Sequence, residues 1–373
     1  MRVLVVNAGS SSLKLRVIDG HDDIQHSADI PADRAGFDSS RLTDVLDSWE
    51  RPDVIGHRIV HGGTTFSGPV RIDGAVREQL RDLTDLAPLH QPKSLAALDA
   101  VTRQLPDVAA VACFDTAFHT TIPAAAATYA VPLEWRTRYG IRRYGFHGLS
   151  HAYCSRRAAE LLARPVQPLR VISCHLGAGA SLAAVLDGCS VDTTMGFTPL
   201  EGLVMATRSG SVDPGLVLWL EEHEHLTPHE VSTALEERSG LTGLAGTGDM
   251  REIEVAASRG DADAVLAMDV YIHSLVGGIA AMSVALGGVD VLAFTGGVGE
   301  HSSTVRRRAA ERLGYLGIGI DRGTNDTARD DTDISADGAI VRTLVVTSRE
   351  DLQITREVRG LLDDVDTVRR GDG

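Results

Sequence analysis

One pattern occurs twice in this chain, and it constrains the fold more than any other feature. Residues 3–20 read VLVVNAGSSSLKLRVIDG, and residues 171–188 read VISCHLGAGASLAAVLDG. Laid over each other without a gap, Gly9 falls on Gly177, Val17 on Val185, Asp19 on Asp187 and Gly20 on Gly188. Each copy is an apolar run, a loop of small residues, and a second apolar run closed by Asp-Gly. A hairpin satisfies that pattern, with glycine letting backbone N–H groups approach an anion closely. One such hairpin in each half predicts two related lobes facing a shared phosphate. The pattern alone fits two ordinary glycine-rich hairpins in an α/β protein equally well.

A length of 373 residues allows two domains of ordinary size. A 43% hydrophobic share with mean hydropathy near zero describes a well-cored globular chain, neither disordered nor membrane-embedded. The net charge of −15 disfavours nucleic acid as a partner, although a few cations in a cleft still reverse the local field for a small anion. The opening MRVLVVNAGSSS reads as a strand, not a signal peptide. The most apolar stretch, 264–286, is interrupted by Asp269, His273 and Gly277-Gly278, so a buried helix is expected there and no membrane span. Cys113, Cys154, Cys174 and Cys189 lack zinc-type or Cys-x-x-Cys spacing; they read as reduced thiols of a cytoplasmic protein.

Strand-like runs at 3–6, 13–18, 54–55, 108–114, 171–174, 182–186, 289–294 and 340–346 alternate with helical patterns. The helical patterns lie at 75–86, 92–104, 151–163, 214–223, 228–238, 262–286 and 303–313. This alternation predicts α/β layers, with helices packed on mixed sheets. Thr227, Pro228 and Glu230 make a capped helix start. No Pro- or Ser-rich linker separates the halves, so a compact hinge is expected near Asp115. It divides the chain into lobes 1–114 and 115–351, with a helical tail, 352–373, packing back on the first.

The candidate chemistry lies in polar segments between these runs. NAGSSSLK (7–14) offers the hydroxyls of Ser10 and Ser12 and the point charge of Lys14. It has no Gly-Lys-Ser/Thr opening a helix, so it is not a Walker loop, and a polar hairpin tip would read the same. GHRIVHGG (56–63) carries Arg58, whose guanidinium fork matches a carboxylate or phosphate; a turn with surface charges is the plainer alternative. FDTAFH (114–119) puts Asp115 at a strand end, where α/β sheets collect polar groups, though a helix cap also fits. His147, in YGFHGLSH, by itself fits a structural histidine. The long Gly/Pro-punctuated loop from Asp192 to Pro214 holds one strongly placed cation, Arg208, and loops of this length inside compact domains are usually functional. FTGGVGEH (294–301) is GGxG, not the dinucleotide fingerprint, and could clasp a nucleoside end.

NAGSSSLK, GHRIVHGG, APLH, FDTAFH, YGFHG, HLGAGAS, MGFTPLEGL, TRSGSVDP and FTGGVGE follow the motif order of the acetokinase family, which the chain resembles from Val3 to about Arg356. The resemblance implies a two-lobed actin-like ATPase fold, ribonuclease-H-like and duplicated, with mixed sheets flanked by helices. It implies direct in-line transfer of phosphate from ATP to acetate, giving acetyl phosphate and ADP. It further implies Mg²⁺ dependence, with Mn²⁺ able to take its place, and a cytoplasmic homodimer with no nucleic-acid or membrane partner.

Residue by residue, the resemblance implies that Asn7 and Glu350 orient the metal and its waters, hard oxygen donors that suit Mg²⁺. Lys14, Ser10 and Ser12 would hold nucleotide phosphate. Arg58 would grip the substrate carboxylate in an apolar pocket of Val60, Leu89 and Pro199. Asp115 would act at the carboxylate or in proton handling, while His147 and Arg208 stabilise the phosphoryl group in flight. ATP contacts would come from His175, Leu176, Gly177, Ala178 and Gly179, from Asp249, Met250 and Arg251, and from Gly297, Val298, Gly299, Glu300 and His301. This division suits the chemistry: acetate is already a nucleophile, and the difficulty is its repulsion from the phosphate.

The chain departs from the family pattern at Ala178 (Asn in HLGNG), at His301 (Asn in GEN) and at Gln91 (Asn in APLHNP). The first two changes remove amides from the nucleotide side. They leave open a variant using pyrophosphate or another nucleotide, and within the same class a kinase preferring propionate or butyrate, separated by acid-chain selectivity, is the nearest alternative. A non-catalytic nucleotide-binding sensor on the same fold is the alternative of another class. The joint presence of Arg58, Asp115, His147 and Arg208 argues against it, because a pure binder needs no such set.

Overall fold

The computed structural model describes residues 1–9, 12–33, 36–87, 91–165 and 168–371. β1 (Val3–Ala8) and β2 (Ser12–Ile18) form the first hairpin, extended by β3 (Ile24–Asp33) and β4 (Gly36–Phe37). After α1 (Ser39–Ser48), β5 (Val54–Ile59) pairs in parallel with β1. β6 (Val70–Arg71), α2 (Gly74–Asp82) and α3 (Gln91–Gln104) lead to β7 (Ala109–Phe114), parallel to β5. Asp38 and Asp73 start α1 and α2 by accepting hydrogen bonds from exposed backbone N–H groups of the first turn.

α4 (Ala124–Ala127), α5 (Leu133–Tyr139) and α6 (Gly148–Leu161) precede the second hairpin, β8 (Arg170–Leu176) and β9 (Ala180–Leu186), which β10 (Cys189–Thr193) extends. Five helices follow: α7 (Pro214–His223), α8 (Pro228–Glu237), α9 (Gly240–Ala245), α10 (Met250–Ser258) and α11 (Ala262–Ala285). Then come β11 (Val291–Thr295), α12 (Gly296–His301), α13 (Ser303–Arg312) and α14 (Arg322–Thr327). β12 (Thr332–Asp333), β13 (Arg342–Val345) and α15 (Glu350–Gly371) complete the chain. The Thr227–Glu230 capping box is present at the start of α8.

The sheet orders are β4-β3-β2-β1-β5-β7-β6 and β10-β9-β8-β11-β13-β12. Apart from β4 they match strand for strand. Three antiparallel strands adjoin two parallel ones, and an antiparallel edge strand follows. The duplication and the mixed, helix-flanked sheets expected from the sequence are thus present.

The repeat overlay needs one correction. Ala8 pairs with Leu13, whereas Leu176 pairs with Ala180, so the second turn is one residue shorter. The second strands therefore correspond with a shift of one, and a one-residue slip exchanges the faces of a strand. Asn7 opposite Lys14 has its counterpart in His175 opposite Ser181.

The chain divides into two compact units. The first is Met1–Thr120, Gly148–Tyr153 and Arg349–Gly373, and the second is Thr121–His147 and Cys154–Ser348. In the first, side chains alternate across the sheet as the pleat requires. Leu4 and Val6 pack with Ala97 and Val101 of α3 on one face, while Val3 and Val5 pack with Ile354 and Val358 of α15 on the other. In the second, α11 packs on α9, α10 and β9. α11 is long and apolar enough to cross a membrane by composition alone. Its Ala267, Tyr271, Ile272, Leu275 and Ile279 are nevertheless buried in the protein, as expected of a core helix interrupted by Asp269 and His273.

Candidate active site

In each unit polar side chains collect at the C-terminal ends of the parallel strands, where the ladder stops and side chains emerge. In the first unit these ends carry Asn7 on β1, Arg58 on β5 and Asp115 just after β7. Arg58 Nε donates to Asp115 Oδ1 and Oδ2 at 3.0 and 3.1 Å, and Nη2 also donates to Oδ2. Arg58 Nη1 donates to Asn7 Oδ1 at 3.1 Å, and Asn7 Nδ2 donates to Glu350 Oε2 at 2.9 Å. Arg58 Nε lies 3.9 Å from the same Glu350 oxygen. Four of the predicted residues thus form one connected group.

Burial raises the Asp115 carboxyl above its ordinary value, and the Arg58 charge and hydrogen bonds oppose that rise. Burial works against the Arg58 charge, but Asp115 and Glu350 hold the guanidinium pKa above its ordinary value. Neighbouring His57 and His61 are pushed down by burial to about 3 and about 4, so both are neutral at physiological pH.

The backbone fixes this group from three sides. Asp115 N donates to Ile59 O at 3.0 Å, and Gly62 N donates to Thr116 Oγ1 at 3.0 Å. Gly148 N donates to Asp115 O at 2.8 Å, and a Cβ on Gly148 would stand 2.2 Å from that oxygen. Gln91 is wholly buried, accepting from His61 N at 3.3 Å and donating to Leu80 O at 3.2 Å, so this departure from the family pattern ties a turn together. Lys14 is exposed opposite Asn7, Ser12 opens β2, and Val60 is buried just beyond β5. Ser10 and Leu89 lie outside the described residues.

In the second unit, His147 adopts a left-handed backbone (φ 56°) immediately before α6, and its Nδ1 meets Ser181 Oγ at 2.9 Å. The His147 and His175 rings lie 4.3 Å apart, tilted by 31°. A Cβ on Gly179 would stand 3.3 Å from His147 Cε1 and Nε2 and 3.5 Å from Arg208 Nη2. The turn Gly177–Gly179 closes with Gly177 N donating to Gly179 O at 2.9 Å, leaving Ala178 exposed at its tip. Arg208 Nη1 donates to Pro199 O at 2.8 Å, and burial lowers the guanidinium pKa while Glu236 opposes the fall. His147, His175, Gly179, Pro199 and Arg208 therefore form a second group.

The remaining predicted nucleotide contacts are arranged otherwise. Glu300 Oε1 accepts from Gly296 N at 2.9 Å and Ser348 N at 3.0 Å, which makes it a clasp between β11 and the end of β13. Gly297, Val298, Gly299 and His301 form α12, with Gly297 and His301 exposed and Leu176 buried beneath. Asp249 caps α10 by accepting from Arg251 N at 2.9 Å, Met250 is buried, and the exposed Arg251 guanidinium holds the Asp249 carboxyl down to about 2.

The description "Acetokinase family" applies to the family model that matches residues 40–356. The chain belongs to the acetokinase family. It is 48% identical to an acetate kinase of Nostoc punctiforme over 84% of this chain and 78% of the relative. A solved acetate kinase of Porphyromonas gingivalis, 36% identical, superposes with a TM-score of 0.88 over 97% of this chain and 99% of that one. A solved propionate kinase of Francisella tularensis, 35% identical, gives 0.88 over 95% and 98%. The actin-like ATPase fold is thereby established for this acetokinase, which is a phosphotransferase.

Several residues support the two groups without having been singled out as site residues from the sequence. Buried Arg306 donates at 2.8 Å to the carbonyls of Gly299, Glu300 and Asn325, holding the 294–301 turn closed, and burial lowers it to about 10. Arg143 donates to the carbonyls of Thr193, Thr194 and Met195 and to Glu201, to which Tyr129 also donates. Gly148 is the plainest test among them. Gly148→Ala must push the Asp115 backbone aside, and a displacement near 1 Å at such a group costs on the order of 10²-fold in kcat. That loss with unchanged far-ultraviolet circular dichroism is the expected result; full activity would show that the Asp115 position tolerates movement.

Proposed function

We propose that the chain transfers the γ-phosphoryl group of ATP to acetate, giving acetyl phosphate and ADP, with the reverse reaction at the same site. The Arg58–Asp115–Asn7–Glu350 group carries this reading. A guanidinium has five N–H donors. Nε and one N–H of each terminal nitrogen are engaged with Asp115 and Asn7, which leaves one on each for a substrate carboxylate. Asp115 keeps Arg58 charged and in one orientation while the acetate oxygen, already a nucleophile, attacks without a base. Val60, buried just beyond β5, supplies apolar surface for the methyl group in this reading.

His147 and Arg208, with the Gly177–Gly179 turn, meet the phosphates. Ser181 fixes the His147 ring through Nδ1, and Arg208 is anchored by Pro199 O, so both groups are oriented before substrate arrives. His175, Ala178, the Asp249–Arg251 segment and the Gly297–His301 helix line the nucleotide side, with Lys14 and Ser12 on phosphate oxygens. Glu350 and Asn7, with hard oxygen donors, would hold a Mg²⁺, Asn7 Oδ1 turning to it from Arg58 Nη1. Among the described residues no three His, Cys, Asp or Glu could build a protein-only cage, which agrees with such a sparse set. Bound there, the ion neutralises charge on the phosphate oxygens.

A cytoplasmic homodimer completes the proposal. Support comes from four free cysteines and from the exposed Leu216, Leu218 and Trp219 of α7, apolar surface of the kind a partner covers.

A hydroxamate assay with ATP, Mg²⁺ and acetate tests the reading, repeated with propionate, butyrate and pyrophosphate. Acetyl hydroxamate with ATP and acetate is expected, from a species that sediments at twice the 39.7 kDa chain mass. Product only with a longer acid, or only with pyrophosphate, would reassign acceptor or donor. No product from any pair would leave a nucleotide binder.

A further inference from the structure

Glu350 opens α15, and a second carboxyl on the same helix face has no part in the mechanism above. Glu357 stands seven residues on, about two turns along the face that Ile354 and Val358 press onto the first sheet. There the helix lies directly on the strands. A Cβ on Gly56 of β5 would be 2.6 Å from an Ile354 methyl and 2.9 Å from a Val358 methyl. Beside this apolar layer of Val3, Val54, Val111, Cys113 and Leu149, the half-buried Glu357 brings an ionisable group.

Its hydrogen bonding is incomplete. Oε1 accepts from Gln353 Nε2 at 3.1 Å, while Oε2 is shielded from solvent with no hydrogen-bond partner. The Cys113 thiol of β7 donates to Ile354 O at 4.0 Å, and its proximity to the carboxyl favours the anion. Cys113 lies opposite Arg58 in the β5–β7 register and two residues before Asp115. The polar and titratable groups acting on the Glu357 carboxyl are Gln353 on its own helix, Cys113 on β7 and Asp115 just after it.

We propose that Glu357 is a positioning residue whose neutral carboxyl seats α15 on β7 and so holds Glu350 where Asn7 and Arg58 meet it. Burial lifts the Glu357 carboxyl from an ordinary 4.5 to about 7, Gln353 and Cys113 opposing the rise and Asp115 adding to it. As an acid the group costs the layer little. As an anion, its proton released to water, it has a buried oxygen without a partner and repels Asp115. Ionisation thus favours a lifted first turn of α15, and Glu350 moves with it. The kinetic part of the inference rests on the phosphotransfer reading; the structural part does not.

The test compares wild type, Glu357→Gln and Glu357→Asp from pH 6 to pH 8 with ATP, Mg²⁺ and acetate. Substrate phosphates titrate alike in all three, so the readout is each variant's kcat/KM for acetate divided by that of wild type. If only the neutral form is competent and its midpoint is about 7, the Gln ratio rises about tenfold over this range, while Glu357→Asp retains a step. A ratio that stays flat overturns the proposal. Hydrogen exchange reads the same seating without turnover. Amides in the peptide 349–357 are expected to lose protection above pH 7 in wild type but not in Glu357→Gln, after correction for intrinsic rates, and equal protection overturns the proposal. A wild type without product but with this exchange difference would sink the phosphotransfer reading and leave the seating intact. Should Glu357→Gln fail to fold, Cys113→Ala takes its place. Loss of the thiol, whose proximity favours the anion, moves the wild-type step to higher pH, and an unmoved step overturns the proposal.

Discussion

Arg208→Ala is expected to lower kcat for acetyl phosphate formation on the order of 10³-fold, with a smaller change in KM for acetate. The guanidinium is largely withdrawn from water and anchored by Pro199 O at 2.8 Å. It stands beside Gly179, where a Cβ would come within 3.5 Å of Arg208 Nη2. A charge held in a low-dielectric setting acts strongly on the charge that develops in the transition state, and it needs no reorganisation at that moment. Burial lowers the Arg208 pKa, yet an ordinary value of 12.5 leaves ample margin for it to stay charged. The loss should therefore fall on kcat, because the interaction strengthens as the phosphoryl group transfers. Lysine should recover only part of it, having a point charge and no fork. Steady-state kinetics of Arg208→Ala and Arg208→Lys beside their melting curves make the measurement. An unchanged kcat in a folded Arg208→Ala would remove the residue from the mechanism.

The second large effect is expected at Arg58, where stability and binding fall together. Arg58→Met leaves the Asp115 carboxylate buried without its partner, and breaking such a pair costs about 3–5 kcal/mol. The pH dependence has a definite sign. With Arg58 gone nothing opposes burial, so Asp115 holds its proton more tightly folded than unfolded. The variant's stability therefore falls as pH rises through the carboxyl range and recovers in acid. Arg58→Met with Asp115→Leu should regain much of the lost stability at neutral pH, since two apolar side chains replace an ion pair. It should regain no activity, because the proposed reading gives Arg58 the acetate carboxylate to bind. Urea unfolding of the single and double variants at pH 5 and pH 8 reads the first claim, and the hydroxamate assay the second. A single variant as stable as wild type at pH 8 would mean that Asp115 finds another partner or water.

The sequence announced the parts of this molecule whose signal is local. All eight apolar runs became strands, and the seven helical patterns and the tail became helices, because burial demands a period that a short window displays. It did not announce β3 or β10. IQHSADIPAD and CSVDT have few apolar residues, and both strands are held by pairing with a neighbour whose own pattern is strong. Likewise α10, which Asp249 caps, was not among the helical patterns read from the sequence.

The site divides in the same way. The sequence by itself determined the candidate chemistry: the residue types at 7, 58, 115, 147, 208 and 350 that the proposed reading uses, and the glycines at the two hairpins. Tertiary structure decided which of them touch. Asn7 and Glu350 are 343 residues apart yet share a hydrogen bond, and Arg58 meets Asp115 only because β5 and β7 are neighbours in the sheet. It also decided that Glu300 serves the backbone, that Gly148 must lack a Cβ, and that Glu357 lies beside an apolar layer. The reason is physical. Backbone propensity and hydrophobic period act over a few residues, whereas pairing, burial and charge depend on what the packed sheets bring from far along the chain.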